Sequence, residues 1–182
     1  MLSLLATESR VREAIAPYAD DLSIAAVNGP ASVVISGRQA AVLAVGELLA
    51  AEGVKSQRLN VSHAFHSPLM EPMLEPFRQV AEQVSYRKPV LPLVSNVTGQ
   101  LAGDEIATPA YWVRHVREAV RFADGVATLH GWGIQILLEI GPKPVLLGMA
   151  GQSLDTLAEG DRGQWPVSSG QWSGENRKQW SE

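Results

Sequence analysis

A chain of 182 residues that is 46% hydrophobic and 19% charged carries enough apolar side chain to bury the core of one domain or two small subdomains, which excludes disorder throughout. Its net charge of −4 leaves no basic footprint for nucleic acid or an anionic membrane, and the absence of cysteine removes disulfides, thiolate catalysis and cysteine-bound zinc. No apolar run reaches the length of a membrane span, and Met1 to Ala6 lacks both the basic flank and the length of a signal peptide, so a cytoplasmic protein is expected.

In chain order, Leu2 to Ala6 reads as a short strand and Glu8 to Ala19 as a helix with Val11, Ile15 and Tyr18 on one face and Thr7 as its N-cap. Leu22 to Val27 and Ser32 to Ser36 read as two β-rich runs joined by the turn Asn28-Gly29-Pro30. Arg38 to Ala51 predicts a helix with Val42, Val45, Leu48 and Leu49 inward and Gly53 at its C-terminal cap, and Val54 to Val61 returns extended. This order, strand, helix, strand, strand, helix, strand, is the split β-α-β arrangement of ferredoxin-like folds.

The second half changes rhythm. Leu69, Met70, Met73, Leu74, Phe77, Val80, Ala81 and Val84 take the spacing of a helical core face, entered through Ser67 and Pro68, with Pro72 and Pro76 disturbing its first turns. Val90 to Val97 predicts a strand, Tyr111 to His130 mainly helix, and Ile134 to Ile140 a strand buried on both faces and ended by Gly141-Pro142. Pro144 to Gly151 opens a last helix, so strands and helices alternate as in an α/β layer. From residue 158 the composition turns polar and glycine-rich around Trp165, Trp172 and Trp180, which predicts a disordered tail over 158–182.

The stretch Ser62-His63-Ala64-Phe65-His66-Ser67-Pro68 concentrates the chemistry. It sets His66 where an extended segment ends and a helix begins, a loop position from which a base can face a cleft. A polar residue that only bonds the backbone there is the plainer alternative. His63 and His66, three apart, could converge on a metal ion, but with no cysteine and no third ligand grouped nearby no metal site is expected. Phe65 fits ordinary core packing as well as a substrate contact, and Asn28 is explained as a turn residue. His115, in the helical segment, reads as a solvated or interface side chain. Arg114, Arg117 and Arg121 lie on adjacent turns and read as a solvated face or as a basic surface for acidic groups.

The same seven residues closely resemble the histidine motif of malonyl-CoA-specific acyltransferase domains in modular type I polyketide synthases. The resemblance continues in Asn28-Gly29-Pro30-Ala31-Ser32-Val33-Val34-Ile35-Ser36-Gly37, Val94-Ser95-Asn96-Val97-Thr98-Gly99, Tyr111-Trp112-Val113-Arg114 and Glu139-Ile140-Gly141-Pro142, in the family's order. It implies an α/β fold: a ferredoxin-like small subdomain, residues 1–62, and the C-terminal part of an α/β-hydrolase-like large subdomain, residues 63–157. The implied reaction moves a malonyl unit from coenzyme A to a serine and then to the phosphopantetheine thiol of a partner acyl carrier protein, with no cofactor bound to the chain. His66 would be the general base. His63 and Phe65 would select malonyl by filling the space of a methyl branch, Asn28 would line the cleft, and a backbone carbonyl at His115 would orient the catalytic imidazole.

The family's nucleophile lies in a G-H-S-x-G elbow, and no such elbow occurs in this sequence. The resemblance therefore implies the C-terminal half of the domain, a base without its nucleophile, whose further partner would be the missing N-terminal half. The rival reading is a non-catalytic remnant, or a ferredoxin-like module that binds a partner or small ligand.

Overall fold

A computed structural model describes residues 1–161, and the remainder of the predicted tail lies outside the described residues. Thr7 takes the expected N-cap, its side-chain oxygen accepting the Arg10 N–H at 3.4 Å, between β1 (Leu2–Leu4) and α1 (Glu8–Ile15). Pro17 has no N–H to continue the ladder, so the predicted helix closes in a 3₁₀ turn over Ala16–Tyr18. Strand β2 (Leu22–Gly29) runs through Asn28 and Gly29, leaving Pro30 and Ala31 as a two-residue loop to β3 (Ser32–Gly37). Helix α2 (Gln39–Ala51) buries Val42, Val45 and Leu49, while Leu48, expected inside, is half exposed. Gly53 caps it with φ at +82°, the left-handed region that lets its N–H reach the Ala50 carbonyl at 2.9 Å. Of the extended run expected over residues 54–61, only β4 (Ser56–Arg58) pairs, because its partner β1 is itself three residues long.

The sheet order is β2-β3-β1-β4 with every pair antiparallel, the ferredoxin-like topology that the element order predicted. Alternation along the strands sends Leu4, Leu22, Val33 and Ile35 to one face, where they meet Val11 of α1 and Val45 and Leu49 of α2 in a closed core. Each such side chain stabilises the unit by about 1.5–3 kcal/mol. The alternate residues Ala25, Val34 and Ser36 are buried too, so the opposite face is also covered.

What covers it comes from the second half. A 3₁₀ turn over Pro68–Met70 leads into α3 (Glu71–Ala81), the irregular entrance expected from its prolines, and only Met70 and Ala81 of the predicted apolar face are fully buried. The helix predicted over Tyr111 to His130 is two helices, α4 (Pro109–Arg117) and α5 (Phe122–Gly131). The break contains neither glycine nor proline. A tertiary contact makes it: Val120 runs parallel to β2, its N–H bonding the Ala25 carbonyl and its carbonyl accepting the Val27 N–H, both at 2.9 Å. Both α5 and the final helix α6 (Leu146–Asp161) pack on β2. Helix α6 begins two residues after Pro144 and continues well past the predicted Gly151.

The two strands expected in this half do not form. Val90 to Val97 contributes one bridge, Val94 with Leu101, and then a turn in which a Cβ on Gly99 would stand 2.4 Å from that of Asp124. Ile134 to Ile140 has no strand partner, and Ile136, Leu138 and Ile140 are 85%, 81% and 91% exposed, not buried. A strand exists only through its ladder, and among the described residues nothing lies alongside this run to supply one. Glu139 turns its carboxylate onto the N–H groups of Val145, Leu146 and Leu147, at 2.9 to 3.1 Å, and so caps α6.

Candidate active site

Between β4 and the 3₁₀ turn that begins at Pro68 the chain has no regular structure, and the histidine motif lies in this connection. His66 has φ at +61°, a conformation that costs a side-chain-bearing residue free energy and that persists only where surrounding contacts impose it. Three contacts do so. The buried Ser67 donates its hydroxyl to the Ala64 carbonyl at 2.6 Å, the His66 N–H bonds the Val116 carbonyl at 3.0 Å, and the His66 ring bonds the Glu118 carbonyl through Nδ1 at 2.6 Å. The last two partners belong to the end of α4, the segment that Val120 stitches to β2. The sheet, the helix break and the histidine loop are thereby one mechanical unit.

The Glu118 carbonyl can only accept, so Nδ1 carries the proton and Nε2 keeps a lone pair. Burial lowers the pKa of His66 from its ordinary value, and the carbonyls of Glu118 and His115, which favour the charged ring, pull the other way without cancelling it. The resemblance implied a carbonyl at His115; that carbonyl acts on the ring as well, but the 2.6 Å bond at Nδ1 is to Glu118, three residues on, since α4 ends at Arg117 and the extended Glu118 turns its carbonyl toward the ring. No pattern in the sequence marks a backbone acceptor.

The other predicted residues fall at different distances from this ring. Phe65 is 41% exposed and stands between two imidazoles, 6.2 Å from His63 edge-on and 6.4 Å from His66. Its exposure leaves core packing a poor account of it. His63 is exposed, with Nδ1 2.9 Å from the Ser62 hydroxyl. His115 sets its ring 6.0 Å from that of His66, and burial followed by the His66 charge lowers its own pKa. Asn28 is half-buried in β2, not in the turn, one residue beyond Val27 and its bond to Val120, and no hydrogen bond among the described residues joins its side chain to the histidines. No group of three potential ligands able to hold a metal ion is found among the described residues. The arginines read as a basic face are held by the chain's own acids: Arg114 by Glu118 at 2.8 Å, Arg117 by Glu71 at 3.1 Å, and Arg121 by Glu8 at 2.7 Å and Asp124 at 2.5 Å.

Of two clefts, the larger reaches Glu118, whose carbonyl holds His66, and the smaller borders the loop itself. One of about 400 Å³ lies between α1, β2 and the end of α4, lined by Ser23, Ile24, Val97, Arg117 and Glu118 among others; the second, of about 230 Å³, is bordered by Met1, Arg58, Leu59, Ser62 and His63. Ser67, the serine nearest to His66 in the chain, is fully buried with its proton committed to Ala64, so it cannot serve as an exposed nucleophile. The arrangement can accept and return a proton. Among the described residues, no serine hydroxyl hydrogen-bonds the His66 ring.

Residues 2–174 match the acyl transferase domain family. The chain is 48% identical over 158 residues to the mycoketide-CoA synthase of Mycobacterium tuberculosis, covering 87% of this chain and 4% of that protein. Among solved structures it resembles the acyltransferase domain from the second module of the salinomycin polyketide synthase, with 51% identity and a TM-score of 0.81 over 85% of this chain and 36% of that one. A malonyl-transacylase solved in complex with a type II polyketide acyl carrier protein is similar at 29% identity and a TM-score of 0.78, over 85% of this chain and 52% of that one. The chain thus spans only a part of each relative's length, and no helix among its described residues is long and apolar enough to cross a membrane. From the family match over residues 2–174 and these relatives, the chain belongs to the acyl transferase domain family of modular polyketide synthases.

Proposed function

We propose that this chain supplies the general base and acid of a malonyl-CoA:acyl-carrier-protein acyltransferase, and that the serine nucleophile comes from a part of the domain outside residues 1–182. Residues 1–62 form the smaller unit of that domain and 63–157 part of the larger one. The observation that carries the reading is His66: a ring tied by Nδ1 to a carbonyl, with Nε2 unprotonated and a pKa lowered by burial. Nε2 would take the serine proton as the serine oxygen attacks the thioester carbonyl, then deliver it to the departing coenzyme A thiolate. In the second half-reaction it would take the proton of the carrier's pantetheine thiol and return it to the serine as the acyl group leaves. The edge of Phe65, between His63 and His66, would occupy the space of an α-methyl group, worth about 1–3 kcal/mol of discrimination. Asn28, outside the linings of both clefts, would line a cleft completed by the rest of the domain, and the Glu118 and His115 carbonyls would orient the base.

The test joins this chain to the preceding segment of the salinomycin module 2 acyltransferase domain and follows malonyl transfer to a carrier protein. His66→Ala is expected to reduce turnover by about three or more orders of magnitude with unchanged circular dichroism. Near-parental turnover would remove His66 from the role. In the same assay, His63→Tyr with Phe65→Ser should raise methylmalonyl transfer relative to malonyl about tenfold, and an unchanged ratio would assign Phe65 to structure alone.

A further inference from the structure

A buried polar atom without a partner is unusual enough to need a reason, and His115 Nε2 is one. The ring that carries it is gripped on three sides. It stacks on Tyr111 at 6.0 Å and 9°, meets Trp112 edge-on at 6.0 Å and 84°, and meets His66 edge-on at 6.0 Å and 78°. Tyr111 is in turn fixed: its hydroxyl pairs with the buried Ser95 hydroxyl at 2.8 Å, and the Ser95 oxygen also accepts the Val97 N–H at 3.1 Å. Trp112 donates its indole N–H to the Ile106 carbonyl at 3.1 Å. A column of braced aromatic rings therefore runs from the turn at Ser95 to the face of His66, and His115 is its last member.

We propose that the His115 imidazole is a positioning residue: as the end of the Ser95-Tyr111 column it presses the His66 ring against the Glu118 carbonyl and keeps it in the Nδ1-protonated tautomer. Helix α4 delivers both parts of this device, the brace from its last full turn and the acceptor from the residue after its end. The ring, and not a hydrogen bond, performs the task, since the buried Nε2 bonds nothing. The charged groups on the surrounding elements do not perform it either. Arg114 and Glu118 pair with each other, Arg117 pairs with Glu71 at the start of α3, and His63 in the loop faces the Ser62 hydroxyl. The role of His115 in catalysis rests on His66 being the base; its role in holding the ring does not.

The test is ¹⁵N imidazole NMR of the full 182-residue chain, which reads the His66 tautomer and titration midpoint without turnover. In the parent, His66 is expected in one tautomer, with Nε2 unprotonated, and to titrate below the ordinary histidine range. His115→Ala should mix the tautomers and raise the midpoint toward that range, and His115→Phe, which restores a ring without a proton, should return both to the parental pattern. A folded His115→Ala chain with an unchanged His66 signature overturns the proposal. So does His115→Phe behaving like His115→Ala. If His115→Ala does not fold, His115→Phe decides alone: a parental signature supports the ring as brace, and a shifted one refutes it. In the joined domain, His115→Ala should lower kcat about tenfold with KM little changed, and His115→Phe should recover it. Failure of the His66→Ala assay with the NMR result intact would remove the base and leave the brace.

Discussion

His66 and His115 share a thermodynamic consequence, since burial lowers the proton affinity of both in the folded chain. Unfolding returns each ring to water and to an ordinary pKa of about 6.5, so below that pH the unfolded chain binds more protons than the folded one. The contribution to stability is present in full above pH of about 6.5 and falls as pH drops toward and through the lowered folded values. Urea midpoints measured on the acid side of neutrality should therefore decline with pH, and the decline attributable to these rings should flatten in a His66→Gln, His115→Phe double variant. An identical slope in parent and variant would mean that neither ring is buried in solution as it is here. The same lowered affinity leaves His66 neutral at pH 7, which is the form a base requires.

At the scale of elements, the decisive feature is the seam where the end of α4 meets β2. Val120 joins the seam through the backbone, and Arg121 locks it by spanning Glu8 at the start of α1 and Asp124 in the first turn of α5. The Arg121 side chain is 24% exposed, and Glu8 has a lowered pKa first because of that guanidinium. Arg121→Ala would leave Glu8 with only Arg12 and cost about 1–2 kcal/mol, more than an exposed pair, because one partner remains half-buried. The checks are a lowered urea midpoint and faster exchange of the Val27 and Val120 amides. A loss below about 0.3 kcal/mol would show that the backbone bonds hold the seam unaided. The helix break at this seam was not legible in the sequence, because Glu118-Ala119-Val120-Arg121 has no glycine or proline and one β-branched residue is too weak a signal to end a helix. What ends α4 is the availability of an unpaired length of β2 at the right distance, a fact about two segments far apart in the chain.

Across the whole molecule, the two halves are differently finished. The sheet and its two helices close around one core, whereas Ile136, Leu138 and Ile140 in one segment, and Val90 and Leu91 in another, expose large apolar side chains on backbone without a ladder. Such a surface is costly in water and prone to self-association. Hydrogen exchange on the 182-residue chain should show the amides of 134–140 unprotected while those of β2 and β3 are slow, and light scattering should rise with concentration. Replacing Ile136 and Ile140 by lysine should suppress the scattering without shifting the exchange of β2 and β3. A monomeric parent with protected amides over 134–140 would contradict the described exposure.

The split of information between sequence and fold follows from range. The ferredoxin-like unit was readable because each of its elements carries its own signal: Thr7 and Gly53 as caps, alternating residues in β2 and β3, helical spacing in α2, and hairpin strands close enough in sequence to find each other. The motif from Ser62 to Pro68 pointed to His66 for a similar reason, since its residue types are contiguous. Tertiary structure alone decided the tautomer of His66, which depends on a carbonyl more than fifty residues away, and the brace at His115, which depends on Ser95 and Tyr111. It also decided against strands at Val90 to Val97 and Ile134 to Ile140. Apolar composition proposes a strand there, but only a neighbouring backbone with free donors and acceptors can make one, and hydrogen-bond partners are a property of position in space that local pattern does not encode.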